Sequence, residues 1–207
     1  MSVRRKWKIQ RALGLELPGL GKPGALEKRN YPPGQHGKAR RPKISQFGTQ
    51  LREKQKLLFH YGIREEQLRR FVRKARSLQP QNWIEALIGL LERRLDNVVF
   101  RLGFARSIAG ARQLVSHGHI RVNGRRETIG SMVLSPGAAV ELSERANQWE
   151  ATRDSRRTPR IPLPSFLQFE NPDQPERGTL LFVPDSKHVP FEFNASQVAE
   201  YYAKRGV

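Results

Sequence analysis

Between positions 106 and 126 the chain gathers five arginines, Arg106, Arg112, Arg121, Arg125 and Arg126, together with Gln113, His117 and His119. A guanidinium presents a planar fork of donors that matches phosphate oxygens, while an imidazole supplies a donor or a stacking face. Ser107 has the residue type of an N-cap for a short helix carrying Arg112 and Gln113, and a helix start adds backbone donors and a positive dipole suited to phosphate. Asn123, beside Gly124, falls at a tight turn between Arg121 and Arg125. These residues form a candidate surface for phosphate and ribose. They do not form a bond-making centre.

Other chemistry is weakly represented. Gly19-Leu20-Gly21-Lys22-Pro23-Gly24 fits a dinucleotide-binding spacing, but no strand precedes it, so it reads as a coincidence of composition. His117 and His119 have no third His, Cys or carboxylate at ligand spacing, and no metal is expected. Asp96 reads as a local ion-pair partner of Arg93 or Arg94. No carboxylate pair, nucleophile with a base, or phosphate-cradling loop emerges, so no cofactor and no enzymatic activity are expected.

Charge points the same way. The 207 residues hold 38 Lys and Arg against 19 Asp and Glu, a net charge of +19 with pI near 11.2. Such a surface seeks a polyanion. Residues 1–50 carry 12 basic and 2 acidic residues, residues 51–100 carry 11 and 6, and the remainder carries 15 and 11. The N-terminal half is therefore the stronger electrostatic anchor. Its candidate phosphate contacts are Arg4, Arg5, Lys6, Lys8, Arg11 and Arg29, then Gln35, Lys38, Arg40 and Arg41. Two helix faces add Arg52, Lys54 and Lys56, and Arg69, Arg70 and Arg73. Trp7, Tyr31 and His36 are candidates for stacking on splayed bases. The absence of cysteine excludes a disulfide framework and a thiolate zinc site. No stretch approaches the roughly 20 apolar residues of a membrane span, and a soluble, unprocessed chain is expected.

The elements that position these side chains follow from periodicity and caps. Residues 1–44 mix basic residues with Pro and Gly and show little periodicity, which predicts an extended arm that orders on RNA. Ser45 caps a predicted helix to about His60, with Phe47, Leu51 and Leu58 toward one face and Gly62 ending it. Leu68, Phe71, Val72 and Ala75 stripe a second helix over 64–77. From Asn82 to Leu102 the apolar pattern predicts one long core helix, stopped by Gly103. Ser107 starts another through Val115, ended by Gly118. Ile120-Arg121-Val122, Asn123-Gly124 and Arg125-Arg126 predict a hairpin, followed by short strands at 132–134 and 140–142. Residues 146–179 read as a loop-rich connection, with a strand at 180–183 and a last helix from Ala195 or Ser196. The expected fold is α+β. A mostly helical N-terminal domain (arm 1–44, helices 45–92) precedes a small inserted RNA-binding domain at 93–155, of two helices and a short twisted antiparallel sheet. Residues 156–207 form a loop-rich extension packing back on the N-terminal domain.

Several stretches make the chain resemble the S-four family of small-ribosomal-subunit proteins. They are YPPGQHG at 31–37, LREKQKL at 51–57, YGI at 61–63, LLERRLDNVVFRLGFA at 90–105 and ARQLVSHGHIRVNGR at 111–125. The resemblance covers essentially the whole chain. It implies a structural constituent of the small subunit that binds small-subunit rRNA at a multi-helix junction, nucleates assembly of the body and influences translational accuracy. It further implies contact with small-subunit protein S-five, residence in the cytoplasmic or an organellar ribosome and, as in some relatives, repression of its own messenger RNA. RNA of this kind is read by shape, phosphate and ribose hydroxyl, because the A-form major groove is too narrow for side chains. Two departures stand out. Ile108 follows Ser107 where the family usually has arginine, and Arg106 is the candidate replacement. The four N-terminal cysteines that hold zinc in some relatives are absent. An RNA-modifying enzyme, or a factor that rescues stalled large subunits, could carry the same small domain. The first needs a catalytic domain that the last fifty or so proline-rich residues do not supply. The second leaves residues 31–63 unexplained.

Overall fold

The computed structural model describes residues 6–21, 23–38, 43–171, 173 and 175–204. It divides into two compact units, one formed within residues 1–70 and 190–207, the other from 71–189. Among the described residues no helix is long and apolar enough to cross a membrane.

The first unit contains α1 (Lys6–Leu13), α2 (Ala25–Lys28) and α3 (Gln46–His60), with α10 (Ala195–Ala203) returning from the end of the chain. Residues 6–38 are not an extended arm. Leu17, Leu20 and Ala25 are buried, Gln10 accepts a hydrogen bond from the Leu17 N–H at 2.8 Å, and Glu16 accepts one from the Gly24 N–H at 2.8 Å. These apolar anchors are too sparse to make a period, and side-chain acceptors satisfy the irregular backbone between them.

Ser45 caps α3 as expected, its hydroxyl accepting from the Gly48 N–H at 3.1 Å. The buried face is another matter. Gln50, Glu53, Lys54, Leu57 and His60 turn inward while Phe47 is exposed. α10 makes that polar face possible: Val198, Tyr201 and Tyr202 pack on α3, and Gln50 Nε2 donates to Glu200 at 2.6 Å. The Asn194 N–H donates to Glu53 at 2.8 Å. Buried polar groups are tolerated when each is paired in this way.

Helix α4 (Glu65–Leu78) carries the boundary between the units, and Leu68, Val72 and Ala75 are buried on its expected stripe. In the second unit the long helix predicted over 82–102 is two helices, α5 (Trp83–Glu92) and α6 (Leu95–Arg101). Arg94 is extended, at φ −61° and ψ 137°, and bridges Val133. The Leu95 and Asp96 N–H groups donate to the carbonyls of Met132 and Gly130 at 2.8 and 3.0 Å. A remote strand-like segment thus takes donors that a continuous helix would satisfy itself. Asn97 staples the break, donating to the Glu92 carbonyl at 2.9 Å and its carboxylate at 2.8 Å.

α7 (Ile108–Ser116) packs on α6, and β1 (Ile120–Val122) and β2 (Arg125–Glu127) form the expected hairpin. Asn123 and Gly124, at φ 50° and 78°, supply the left-handed pair that a type I′ turn requires. The sheet is larger than expected. β3 (Ala139–Leu142), β4 (Leu167–Phe169) and β5 (Arg177–Leu180) complete five antiparallel strands in the order β2-β1-β3-β5-β4. The segment read as a loop-rich connection also holds α8 (Glu144–Asn147) and α9 (Glu150–Arg157). Of the strand predicted at 180–183 only Leu180 is in the sheet, and Leu181, Phe182 and Val183 are exposed.

Candidate nucleic-acid interface

The second unit places the central cluster on α7 and the hairpin. Ser107 accepts from the Gly110 N–H at 3.2 Å, fixing the start of α7, and Gly118, at φ 74°, turns the chain out of it. Ile120 and Val122 point into the core, so period-2 alternation leaves Arg121 outside. The hairpin register sets Arg121 directly opposite Arg126, with Arg125 opposite Val122. Like charges opposed across a ladder are unfavourable, and on its other side Arg121 is opposite Glu141 of β3, which offsets part of that cost. Arg121, Asn123, Arg125, Arg126, Gln113 and His117 are exposed, as is Arg106.

Other members of the cluster have structural partners as well. Asn123 Oδ1 accepts from the Ala139 N–H at 2.9 Å, so this side chain ties β1 to β3. Arg112 donates to Asp96, which is fully buried and also pairs with Arg94 at 2.8 Å. The expected ion pair of Asp96 with a neighbouring arginine is therefore with Arg94, and Arg112 joins it. Arg106 lies 3.8 Å from Asp154. Ile108 is buried, so at the position where arginine was expected this chain places a core residue.

His119 and Trp149 meet edge to face, 4.5 Å apart. Burial, then the positive charges of Arg145, His117 and Arg126, holds the His119 imidazole below its usual value. It therefore behaves as a neutral ring near pH 7. Trp149, which the sequence reading passes over, lines a cavity of about 470 Å³ with Phe104, Leu114 and the loop before α7. Its one local signal is an isolated aromatic between the two short polar helices α8 and α9.

In the first unit the candidates divide. Lys6, Lys8, Arg29, Gln35, His36 and Lys38 are exposed and open to an anion. Arg11 is half-buried and donates to the Tyr31 and Pro32 carbonyls at 2.9 and 3.3 Å. Arg11 and Lys38 both lie over the Tyr31 ring, at 4.8 and 5.7 Å, so Tyr31 organises cations. Trp7 is exposed with Lys28 over its ring. Lys54 is a correction: expected on the open face of α3, it is 6% exposed, pairs with Glu65 at 2.6 Å and lies 4.8 Å from the Tyr201 ring centre. Lys56 is held by Glu53 at 2.7 Å and by the Glu192 carbonyl. Arg52 and Arg69 are half-buried, Arg70 pairs with Glu66 on the open face of α4, and Arg73, which α4 carries into the second unit, is exposed. Arg4, Arg5, Arg40 and Arg41 lie outside the described residues.

Residues 3–92 match the family described as ribosomal protein S4/S9 N-terminal domain, and residues 93–140 match the S4 domain. The chain is 53% identical to small ribosomal subunit protein uS4B of Bdellovibrio bacteriovorus, over 97% of this chain and 96% of that protein. It is 42% identical to small ribosomal subunit protein uS4 of Pelodictyon phaeoclathratiforme, over 95% and 96%. The uS4 of Geobacillus kaustophilus is also 42% identical, over 96% of each chain.

Proposed function

The chain belongs to the uS4 family of small-ribosomal-subunit proteins, and from that premise we propose that it seats on a multi-helix junction of small-subunit rRNA through phosphate contacts. Its role is structural and not enzymatic, and its partners are rRNA and other ribosomal proteins of the cytoplasmic ribosome. Residues 93–155 act as the shaped grip, and the basic residues of 1–44, with the open faces of α3 and α4, act as a second anchor. By holding several helices of one junction together, the protein nucleates assembly of the subunit body and influences translational accuracy. Small-subunit protein S-five is its neighbour, and its own messenger RNA is a second target for the same grip.

The observation that carries this reading is Arg121 set directly opposite Arg126 on a hairpin whose first strand buries Ile120 and Val122 on its other face. Exposed arginines on adjacent strands suit phosphates of a folded RNA, and a polyanion adds counter-charge to that of Glu141, which lies opposite Arg121 on β3. Chemical footprinting of small-subunit rRNA with and without the purified protein tests the reading. Protection confined to one junction is expected. Diffuse protection along the rRNA would overturn it.

A further inference from the structure

The cavity beside α7 shares Arg106, Gln113, His117 and His119 with the basic surface, but its apolar walls are unused by the phosphate grip. Its volume, about 470 Å³, lies in the range of small-ligand sites. Phe104 and Leu114 give it apolar walls, and Trp149 and His119 make an aromatic corner, their ring planes inclined at 70°. The neutral His119 ring suits a stacked base better than a phosphate. Arg106 and Asp154 supply polar groups at the lining. At 3.8 Å their pairing is loose, and each side chain is about half exposed. Gln113 and His117 belong both to this lining and to the basic surface, so the cavity adjoins the proposed phosphate grip.

We infer that the cavity receives one unstacked purine base of the bound RNA, guanine fitting best. The base lies against the Trp149 and His119 corner with its Watson–Crick edge toward Arg106 and Asp154. A carboxylate accepts from guanine N1–H and the exocyclic amino group, while a guanidinium donates to O6. Uracil offers no amino donor, and adenine no carbonyl. Sequence-dependent recognition of folded RNA ordinarily takes this form, a splayed base stacked on aromatic rings. The inference rests on the RNA-binding function proposed above, and it adds to a shape-reading grip one position at which base identity matters.

The test uses the full chain and a small-subunit rRNA transcript, with dissociation constants measured over a range of salt. Trp149→Ala is expected to weaken binding about ten-fold, within the contribution of a single base stacked on an aromatic ring, with the salt slope unchanged. Trp149→Phe should recover most of that loss. In a parallel experiment the Trp149 indole N–H, identified with the Phe variant, is followed by NMR as guanosine monophosphate, uridine monophosphate or ribose 5-phosphate is added. A saturable shift with the guanine nucleotide alone is expected, and Asp154→Asn should reduce it. Equal losses for the Ala and Phe variants would mark a structural role and overturn the inference. Unchanged rRNA affinity in Trp149→Ala would also overturn it, even if the free nucleotide binds, and would leave the phosphate grip standing. Equal shifts with both nucleotides would overturn the guanine preference. No rRNA binding by the unaltered chain would instead overturn the function on which the inference rests.

Discussion

Arg112 donates to Asp96 Oδ2 twice, from Nη2 at 2.6 Å and from Nε at 2.9 Å, while its side chain stays 39% exposed. Asp96 in turn takes a bidentate pair from buried Arg94 at 3.0 and 2.8 Å. A surface cation of the proposed grip is thus oriented by a carboxylate in the core. An arginine so fixed loses less rotamer freedom when it meets a phosphate.

Asp96→Asn leaves the buried Arg94 without its counter-charge, an uncompensated interior charge costing about 3–5 kcal/mol. Urea unfolding of the full chain should show that loss. Arg112→Ala should cost less, because Arg94 still neutralises Asp96, yet it should weaken rRNA binding.

Arg121 and Arg125 are exposed, and because Arg121 stands between Arg126 and Glu141 its charge is nearly balanced locally, so Arg121→Gln and Arg125→Gln should shift the melting temperature little. Each should weaken rRNA binding and lower the log-log salt slope by about 0.7–0.9 if each side chain neutralises one phosphate. Titration of the transcript at several salt concentrations checks both statements.

Lys54→Met separates the two kinds of basic residue on α3. Glu65 loses its cationic partner and keeps only the Tyr202 hydroxyl at 3.5 Å, and a stability loss of about 1–3 kcal/mol is expected, since Glu65 is only partly exposed. Affinity for rRNA should be unchanged. A fall in affinity without loss of stability would return Lys54 to the interface.

His119 provides a pH test. Its folded value lies below the ordinary 6.5, so between the two values the unfolded chain binds more protons. The contribution of the neutral ring is complete above about pH 6.5 and is lost as pH falls toward the folded value. An NMR titration should place the His119 midpoint below 6.5. The melting temperature of the unaltered chain should fall more between pH 7 and 5 than that of His119→Phe.

Features fixed by neighbours in sequence were legible without the fold. Ser45 and Ser107 cap helices because each hydroxyl reaches an N–H three residues on. Asn123-Gly124 turns a hairpin because both residues accept positive φ. The motifs at 90–105 and 111–125 identified the family for the same reason, being local strings. What escaped was settled by partners distant in sequence. The apolar pattern over 82–102 is real, but the 130–133 segment captures the Leu95 and Asp96 N–H groups and breaks the helix. Residues 6–38 look unstructured because their few apolar anchors find burial only in the packed unit.

The sequence by itself determined the charge, the caps, the turn and the chemistry available, since these depend on residue type and on contacts a few positions apart. Only the tertiary structure decided which of those cations stay at the surface. Lys54 and Arg121 are both cations on amphipathic elements. Glu65 and α10 enclose the first, while the pairing of β1 with β2 holds the second outside against Arg126. A cation is buried only where a counter-charge and a packing partner together offset its desolvation, and for Lys54 one of them, Tyr201, lies far away along the chain.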